Sequence, residues 1–184
     1  QDFYDCVYIN QPRAAWIATE HCLENGHTRI AFLGGDVKEQ NTRERLEGYS
    51  KALEEASLSV DKSLVINADF TREGAYHAFH SFIKHGGQCT AVVACNDLMG
   101  VGCMNACREL GLDIPHDISI ISLDNTDYCL CTNPAMTSVD MMQGQVGEEA
   151  ARCIMNRILE KRNFQKNTAF SPMLIVRNSV RKID

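Results

Sequence analysis

Long apolar runs are absent: the longest, such as Thr90–Cys95 and Ile118–Leu123, fall far short of the ~20 residues a bilayer-spanning helix needs. No membrane partner is therefore expected. An excess of basic charge is missing too. Lys and Arg number 18 against 24 Asp and Glu, a formal net charge of −6. Clustered cations able to neutralise phosphates are not available to this segment, and any contact with nucleic acid falls to another part of the parent protein. The opening residues Gln1-Asp2-Phe3-Tyr4-Asp5 lack a basic stretch followed by an apolar one, so no secretory signal is expected.

The chemistry-bearing motifs of enzymes and metal sites are absent as well. Gly34-Gly35 has neither the Lys-Ser/Thr of a phosphate-binding loop nor the third glycine of a dinucleotide fingerprint. There is no G-x-S-x-G elbow and no H-E-x-x-H. His21, His27, His77, His80, His85 and His116 form no legible constellation; His77 and His80 share a helix face that solvation explains. Asp36, Asp69, Asp97 and Asp124 resemble the acidic set of a phosphotransfer receiver, but no Lys follows a strand end to complete it. The nine cysteines are odd in number and follow no framework spacing. Cys103 and Cys107 with Cys95 upstream, and the pair Cys129 and Cys131, lack the second pair or the histidines of a zinc site. Buried, reduced thiols in a cytoplasmic protein fit this usage. No cofactor, no metal and no enzymatic turnover are expected.

The residues present are those of an ordinary α/β domain: 184 residues, 45% hydrophobic and 23% charged. Short apolar runs alternate with amphipathic stretches, the pattern of βαβ units on a parallel sheet. Strands are expected at Arg29–Leu33, Leu64–Ala68, Ala91–Cys95 and Ile118–Leu123. The helices between them are expected near Thr42–Ser57, with Leu46, Tyr49, Leu53 and Ala56 on one face, from Thr71 to Gly86-Gly87, and at Leu98–Leu110, capped by Asp97 and stopped at Gly111. The third and fourth strands are apolar throughout rather than alternating, as when helices cover both faces of a sheet. Asp5–Asn10 reads as a flanking strand before a helix near Pro12–Asn25. Thr137–Val139 precedes a helix near Gln143–Lys161 with an apolar face of Val146, Ala150, Cys153, Ile154 and Ile158. Leu174–Arg177 reads as a last strand.

In such a sheet the ligand crevice lies outside the carboxyl ends of the strands. Those ends carry Gly34-Gly35-Asp36, Asp69-Phe70, Asn96-Asp97 and Asp124-Asn125, with Arg45 in the helix after the first strand. Carboxylates and amides bond hydroxyls, a ring makes an apolar wall, and Arg is a bidentate donor, so the set suits a neutral polyhydroxylated ligand or a nucleobase. Each residue also has a structural use: Asp97 as a helix cap, Asp124 and Asn125 as turn residues, Phe70 as core, Arg45 as a solvated charge.

Gly26-His27-Thr28-Arg29-Ile30-Ala31-Phe32-Leu33-Gly34-Gly35, Arg45-Leu46-Glu47-Gly48-Tyr49, Ala94-Cys95-Asn96-Asp97-Leu98-Met99-Gly100, Ile114-Pro115-His116-Asp117-Ile118-Ser119, Leu123-Asp124-Asn125, Pro134-Ala135-Met136-Thr137-Ser138-Val139 and Val176-Arg177-Asn178-Ser179 follow one another in an order that resembles the lactose-repressor family. The resemblance implies a periplasmic-binding-protein-like fold, with parallel sheets flanked by helices in two lobes. Segments 1–27 and 139–162 would belong to the DNA-proximal lobe, incomplete here, and 28–136 and 165–184 to the distal lobe. It implies an effector, a sugar or nucleobase, held between the lobes by Arg45, Phe70, Asn96 and Asp124. Met141 stands where some relatives carry a polar contact. It also implies a homodimer acting on operator DNA through a helix-turn-helix outside this sequence. An extracytoplasmic sugar receptor of the same fold is the alternative, which the cysteines and the Val176–Ser179 ending disfavour.

Overall fold

Apolar stretches that need cover on both sides decide the architecture. In the computed structural model, which describes residues 4–160, 162 and 164–183, the elements run in the order β1 (Cys6–Ile9), α1 (Gln11–Glu24), β2 (Ile30–Gly34), α2 (Gln40–Glu55), β3 (Val65–Asn67), α3 (Arg72–Lys84), β4 (Ala91–Ala94), α4 (Asp97–Glu109), β5 (Ser119–Asp124), β6 (Thr137–Asp140), α5 (Gln143–Leu159), β7 (Asn167–Phe170) and β8 (Met173–Ile175). The outermost residues of the expected lobe segments, 1–3 and 184, and residue 161 at the end of the expected last helix lie outside the described residues.

Six strands form one sheet in the order β3-β2-β4-β5-β6-β8, parallel except for β8. β2 and β4 are buried along their whole length, which is why their sequences do not alternate. α1 packs with α2, and α3 with α4, so that the sheet is covered by two helix pairs. The chain moves from β2 outward to β3 and then back to β4, and the strand order reverses between β2 and β4.

Local chemistry sets the helix ends. Asn10 caps α1 by accepting from the Arg13 amide at 2.9 Å, with Pro12 in the first turn. Thr71 caps α3 through the Gly74 amide at 2.9 Å, and Gly86 at φ +87° closes that helix. α4 departs from expectation: its cap is Asn96, whose side chain accepts from the Met99 amide at 2.7 Å, and Asp97 is the first helical residue.

Three further expectations are corrected by long-range packing. The buried face of α2 holds Thr42, Arg45, Gly48, Tyr49, Ala52 and Leu53, whereas Ala56 is exposed beyond its end. Of the apolar face expected on α5, Cys153 is buried but Ile154 and Ile158 are 60% and 65% exposed, because no described element covers them. The last strand is Met173–Ile175, antiparallel to β6, and a strand not anticipated, β7, pairs in parallel with β1 as a separate two-stranded sheet.

Packing and strand pairing show which segments lie together. α1 lies against α2 and the six-stranded sheet, so the passage from the small sheet to the large one falls near residue 10. At the other end, Thr137–Asp140 and Met173–Ile175 are strands of the large sheet, while Asn167–Phe170 belongs with β1.

α1 and α2 approach so closely that a Cβ built on Gly48 would meet the Pro12 carbonyl oxygen at 1.9 Å. A backbone atom cannot swing away. Gly48→Ala should therefore cost about 1–3 kcal/mol by overpacking. At Gly147, on the exposed side of α5 with nothing within 4 Å, the same change should leave stability unchanged or raise it by about 0.5–1 kcal/mol through helix propensity. Urea unfolding of the two variants side by side checks this.

Candidate functional site

The carboxyl edge of the large sheet, around the β2/β4 switch point, gathers the polar side chains. Arg45, from the first turns of α2, is buried and reaches across this edge. Its Nε donates to Gln11 Oε1 at 2.8 Å, its guanidinium also donates to the Cys95 carbonyl at the end of β4, and Nη2 stands 4.0 Å from Asp124 Oδ1 at the end of β5. A guanidinium has five donors, and these contacts leave capacity facing the edge. The solvated alternative for Arg45 is excluded by its 7% exposure.

Asp124 is the complementary group. Its side chain is 21% exposed, and burial pushes its carboxyl up to about 6, opposed by the pull of Arg45 and assisted by the charge of Asp97. It stands at φ 113°, followed by Asn125 at 55°; two consecutive non-glycine residues at positive φ are held only where surroundings over-determine them. Asn125 is fixed on every side. Its amide donates to Ser138 Oγ at 3.1 Å, its Nδ2 to Asp140 Oδ2 at 3.1 Å, and its Oδ1 accepts from Arg177 Nη2 at 2.7 Å.

Phe70 and Asn96 meet at the same edge. Asn96 Nδ2 donates to the Phe70 carbonyl at 3.0 Å while its Oδ1 caps α4. Phe70 has φ 63°, and its ring lies over Gly35 so closely that a Cβ there would fall 2.1 Å from Cε2. Gly35 serves this close approach. Of the expected site residues, Arg45 and Asp124 are thus brought together directly, and Asn96 and Phe70 directly.

The other strand-end acids are used otherwise. Asp69 accepts from the Thr71 amide at 3.0 Å and from Thr71 Oγ1 at 2.6 Å, a local turn that holds its carboxyl below the usual range. Asp36 accepts from the Lys38 amide at 2.9 Å and is exposed. Asp97 is neither a cap nor open to a ligand: at 1% exposure it accepts from Ser122 Oγ at 2.5 Å, Ser138 Oγ at 2.9 Å, Thr126 N at 2.6 Å and Thr126 Oγ1 at 2.7 Å. Among the described residues no group of three or more His, Cys, Asp or Glu is arranged to hold a metal ion. All nine cysteines are free, and six are buried, although Cys6 and Cys131 are exposed. No helix among the described residues is long and apolar enough to cross a membrane.

Gln11, Arg177 and Asp140 were not anticipated. They lie 34, 52 and 15 residues from the partners they hold; no local pattern marks Gln11 or Asp140, and Arg177 stands in the Val176–Ser179 motif, which by itself names no partner. A cavity of about 550 Å³ lined by Arg29, Leu64, Phe82, His85 and others lies at the opposite, amino end of the sheet, away from all these groups.

The model of the periplasmic binding protein-like domain matches residues 19–180. The chain belongs to this family. Its curated relatives are regulators: it is 30% identical over 180 residues to the HTH-type transcriptional repressor PurR of Photobacterium profundum, covering 98% of this chain and 54% of the relative. To the protein of the same name from Shigella dysenteriae serotype 1 it is 33% identical over 179 residues, covering 97% and 52%. The chain thus spans about half the length of the curated relatives it matches. Among solved structures, the transcriptional regulator CelR in complex with cellobiose superposes with a TM-score of 0.89 at 30% identity, over 96% of this chain and 54% of that one. A LacI family transcriptional regulator of Enterococcus faecium with bound ribose gives 0.90 at 25% identity, over 100% and 68%. A sugar-binding LacI family regulator of Escherichia coli complexed with phosphate gives 0.88 at 28%, over 96% and 63%. The fold and the kinship with LacI-family regulators expected from the sequence are both confirmed.

Within this family member the buried Asp97 carboxylate is the group that fastens the edge. Asp97→Asn turns one acceptor oxygen into a donor facing other donors, and should cost about 2–3 kcal/mol given the worth of hydrogen bonds to a charged group. A drop in melting temperature of roughly 4–12 °C in a thermal scan is expected for a domain of this size.

Proposed function

We propose that this chain is the effector-sensing part of a DNA-binding transcriptional regulator, taking a sugar-like or nucleobase-like small molecule at the carboxyl edge of the large sheet. Arg45, Phe70, Asn96 and Asp124 are its contacts. One observation carries this: a buried arginine and a carboxylate pushed up to about 6 face each other at 4.0 Å at the switch point. A carboxylate perturbed by burial and facing a buried arginine in that place marks a polar-ligand site in α/β sheets. That the CelR and Enterococcus faecium relatives hold cellobiose and ribose supports a hydroxyl-rich ligand.

In this proposal β1, β7 and α5 are part of a second lobe, and the ligand sits between the lobes. Operator DNA is contacted by a segment outside this sequence, in a homodimer. Ligand binding shifts the balance between lobe orientations and thereby affinity for the operator.

Thermal melts of the full-length regulator against sugars, sugar phosphates and nucleobases test the proposal. A ligand at 100 times its dissociation constant should stabilise by about 2.7 kcal/mol, a shift of several degrees. Arg45→Ala or Asp124→Asn should weaken that ligand about 10- to 100-fold, the worth of a hydrogen bond to a charged group. A cooperative melt that no compound moves would sink the proposal.

The pH dependence has two opposite signs. As pH falls through about 6, Asp124 takes up a proton and ceases to be a two-oxygen acceptor, so affinity for a hydroxyl-donating ligand should fall up to about tenfold per pH unit. The unliganded fold binds that proton more tightly than the unfolded chain does, so this group should add stability as pH falls from about 6 toward about 4. Titration calorimetry across this range should show the affinity slope in the wild type and lose it in Asp124→Asn.

A further inference from the structure

Asp124 and Asp140 are neighbours in register on β5 and β6, but the two carboxylates do different work. Asp124 faces Arg45. Asp140 accepts from Asn125 Nδ2 with one oxygen at 3.1 Å and from the Met142 amide with the other at 2.7 Å. Met142 is the residue immediately before α5, standing at φ 53° with no side-chain cap, and its carbonyl accepts from the Val146 amide at 3.0 Å to open the helix. A single line of hydrogen bonds therefore runs from the turn at 124–125 through Asp140 to the first turn of α5. It is braced by Arg177, which donates to Asn125 Oδ1 at 2.7 Å and to the Met136 carbonyl at 2.8 Å. The left-handed residues 124, 125 and 142 all lie on this line. Such residues are held in costly backbone conformations by the hydrogen bonds around them.

We infer that Asn125 is a positioning residue that transmits what happens at Asp124 to the orientation and order of the α5 N-terminus, through Asp140 and Met142, with Arg177 setting the pose of its amide. The inference rests on the effector site proposed above but concerns a different event: the response of α5 rather than capture of the ligand. Any displacement of the 124–125 turn changes the distance from Asn125 Nδ2 to Asp140. Asp140 then either keeps the Met142 amide and the left-handed entry to α5, or yields it to water. α5 carries the exposed side chains Ile154, Ile158 and Leu159, so its reorientation is visible to whatever contacts that face.

Amide hydrogen exchange on the full-length regulator tests this. In the unliganded protein, Asp140→Asn, which keeps an acceptor for the Met142 amide but presents an NH2 to Asn125, should raise exchange at Met142–Val146 about tenfold, the equivalent of one lost hydrogen bond. Exchange in β2 and β4 should be unchanged. Asn125→Asp, which sets a carboxylate against Asp140, should do the same, and Arg177→Lys should give a smaller rise. Cellobiose, ribose or adenine, whichever shifts the melt, should alter exchange at Met142–Val146 in the wild type, and Asp140→Asn should reduce that response several-fold while changing affinity less than Asp124→Asn does. Folded variants with wild-type exchange at Met142–Val146 would overturn the inference. So would a compound that binds without altering exchange there, with the effector proposal left standing. If none of the three binds, the effector proposal loses support and the line through Asn125 is decided by the unliganded exchange alone.

Discussion

A carboxylate taken out of water has to be answered by donors, and in this fold one such carboxylate determines where the working edge of the sheet lies. Asp97 receives hydroxyl and amide donors from β5, β6 and the turn after β5, while itself sitting in the first turn of α4. The positive end of the helix dipole and the four hydrogen bonds together offset its desolvation. Ser122 and Ser138 would be poor choices for strands buried on both faces unless such an acceptor lay between them. The edge on which Arg45, Asn96 and Asp124 stand is thus the same edge that Asp97 ties together, and its charge helps to raise the Asp124 carboxyl.

A second set of buried hydroxyls closes the sheet on the side of the C-terminal residues. Ser179 Oγ donates to the Ile120 carbonyl at 2.5 Å and accepts from the Thr137 amide at 2.8 Å, while Thr137 Oγ1 accepts from the Arg177 amide at 2.9 Å. The segment that carries Arg177 is therefore pinned to β5 and β6 before Arg177 turns to Asn125. His27, 1% exposed, does similar work at the opposite edge, bridging Thr90 Oγ1 and the Arg181 carbonyl at 3.0 Å each. Burial holds its pKa below the ordinary value, and the neutral ring suits one donor and one acceptor.

The large sheet and the small one differ in how fully they are covered. β2, β4 and most of β5 are buried between helix pairs, and the helices approach to backbone contact at Gly48 and again at Gly102, where a Cβ would meet the Arg72 carbonyl oxygen at 2.2 Å. The small sheet has two strands and one helix. Beside the pairing of its strands it is held by charge: Asp5 accepts from Arg157 at 2.9 and 3.1 Å and from Arg162 at 2.5 and 3.1 Å, which holds its carboxyl well below the usual range. A two-stranded sheet with a half-covered helix is a marginal unit on its own.

By itself the sequence determined the order and type of nearly every element, because strand and helix declare themselves in the period of apolar residues over windows of five to fifteen positions. It marked the cap at Thr71 and the stop at Gly86 for the same local reason. It also put Arg45, Phe70, Asn96 and Asp124 at one edge, since parallel crossovers bring strand ends together whatever the details. Tertiary structure alone decided that Asp97 is an anchor rather than a cap, because its donors come from positions 25 to 41 residues away. It decided that α1 packs against the large sheet, that the apolar side of α5 is covered at Cys153 but not at Ile154 and Ile158, and that Asn125 and Arg177 meet. An amphipathic helix or a polar side chain states in sequence what kind of partner it needs. Which partner it finds depends on contacts between distant segments, and these exist only once the chain has closed on itself.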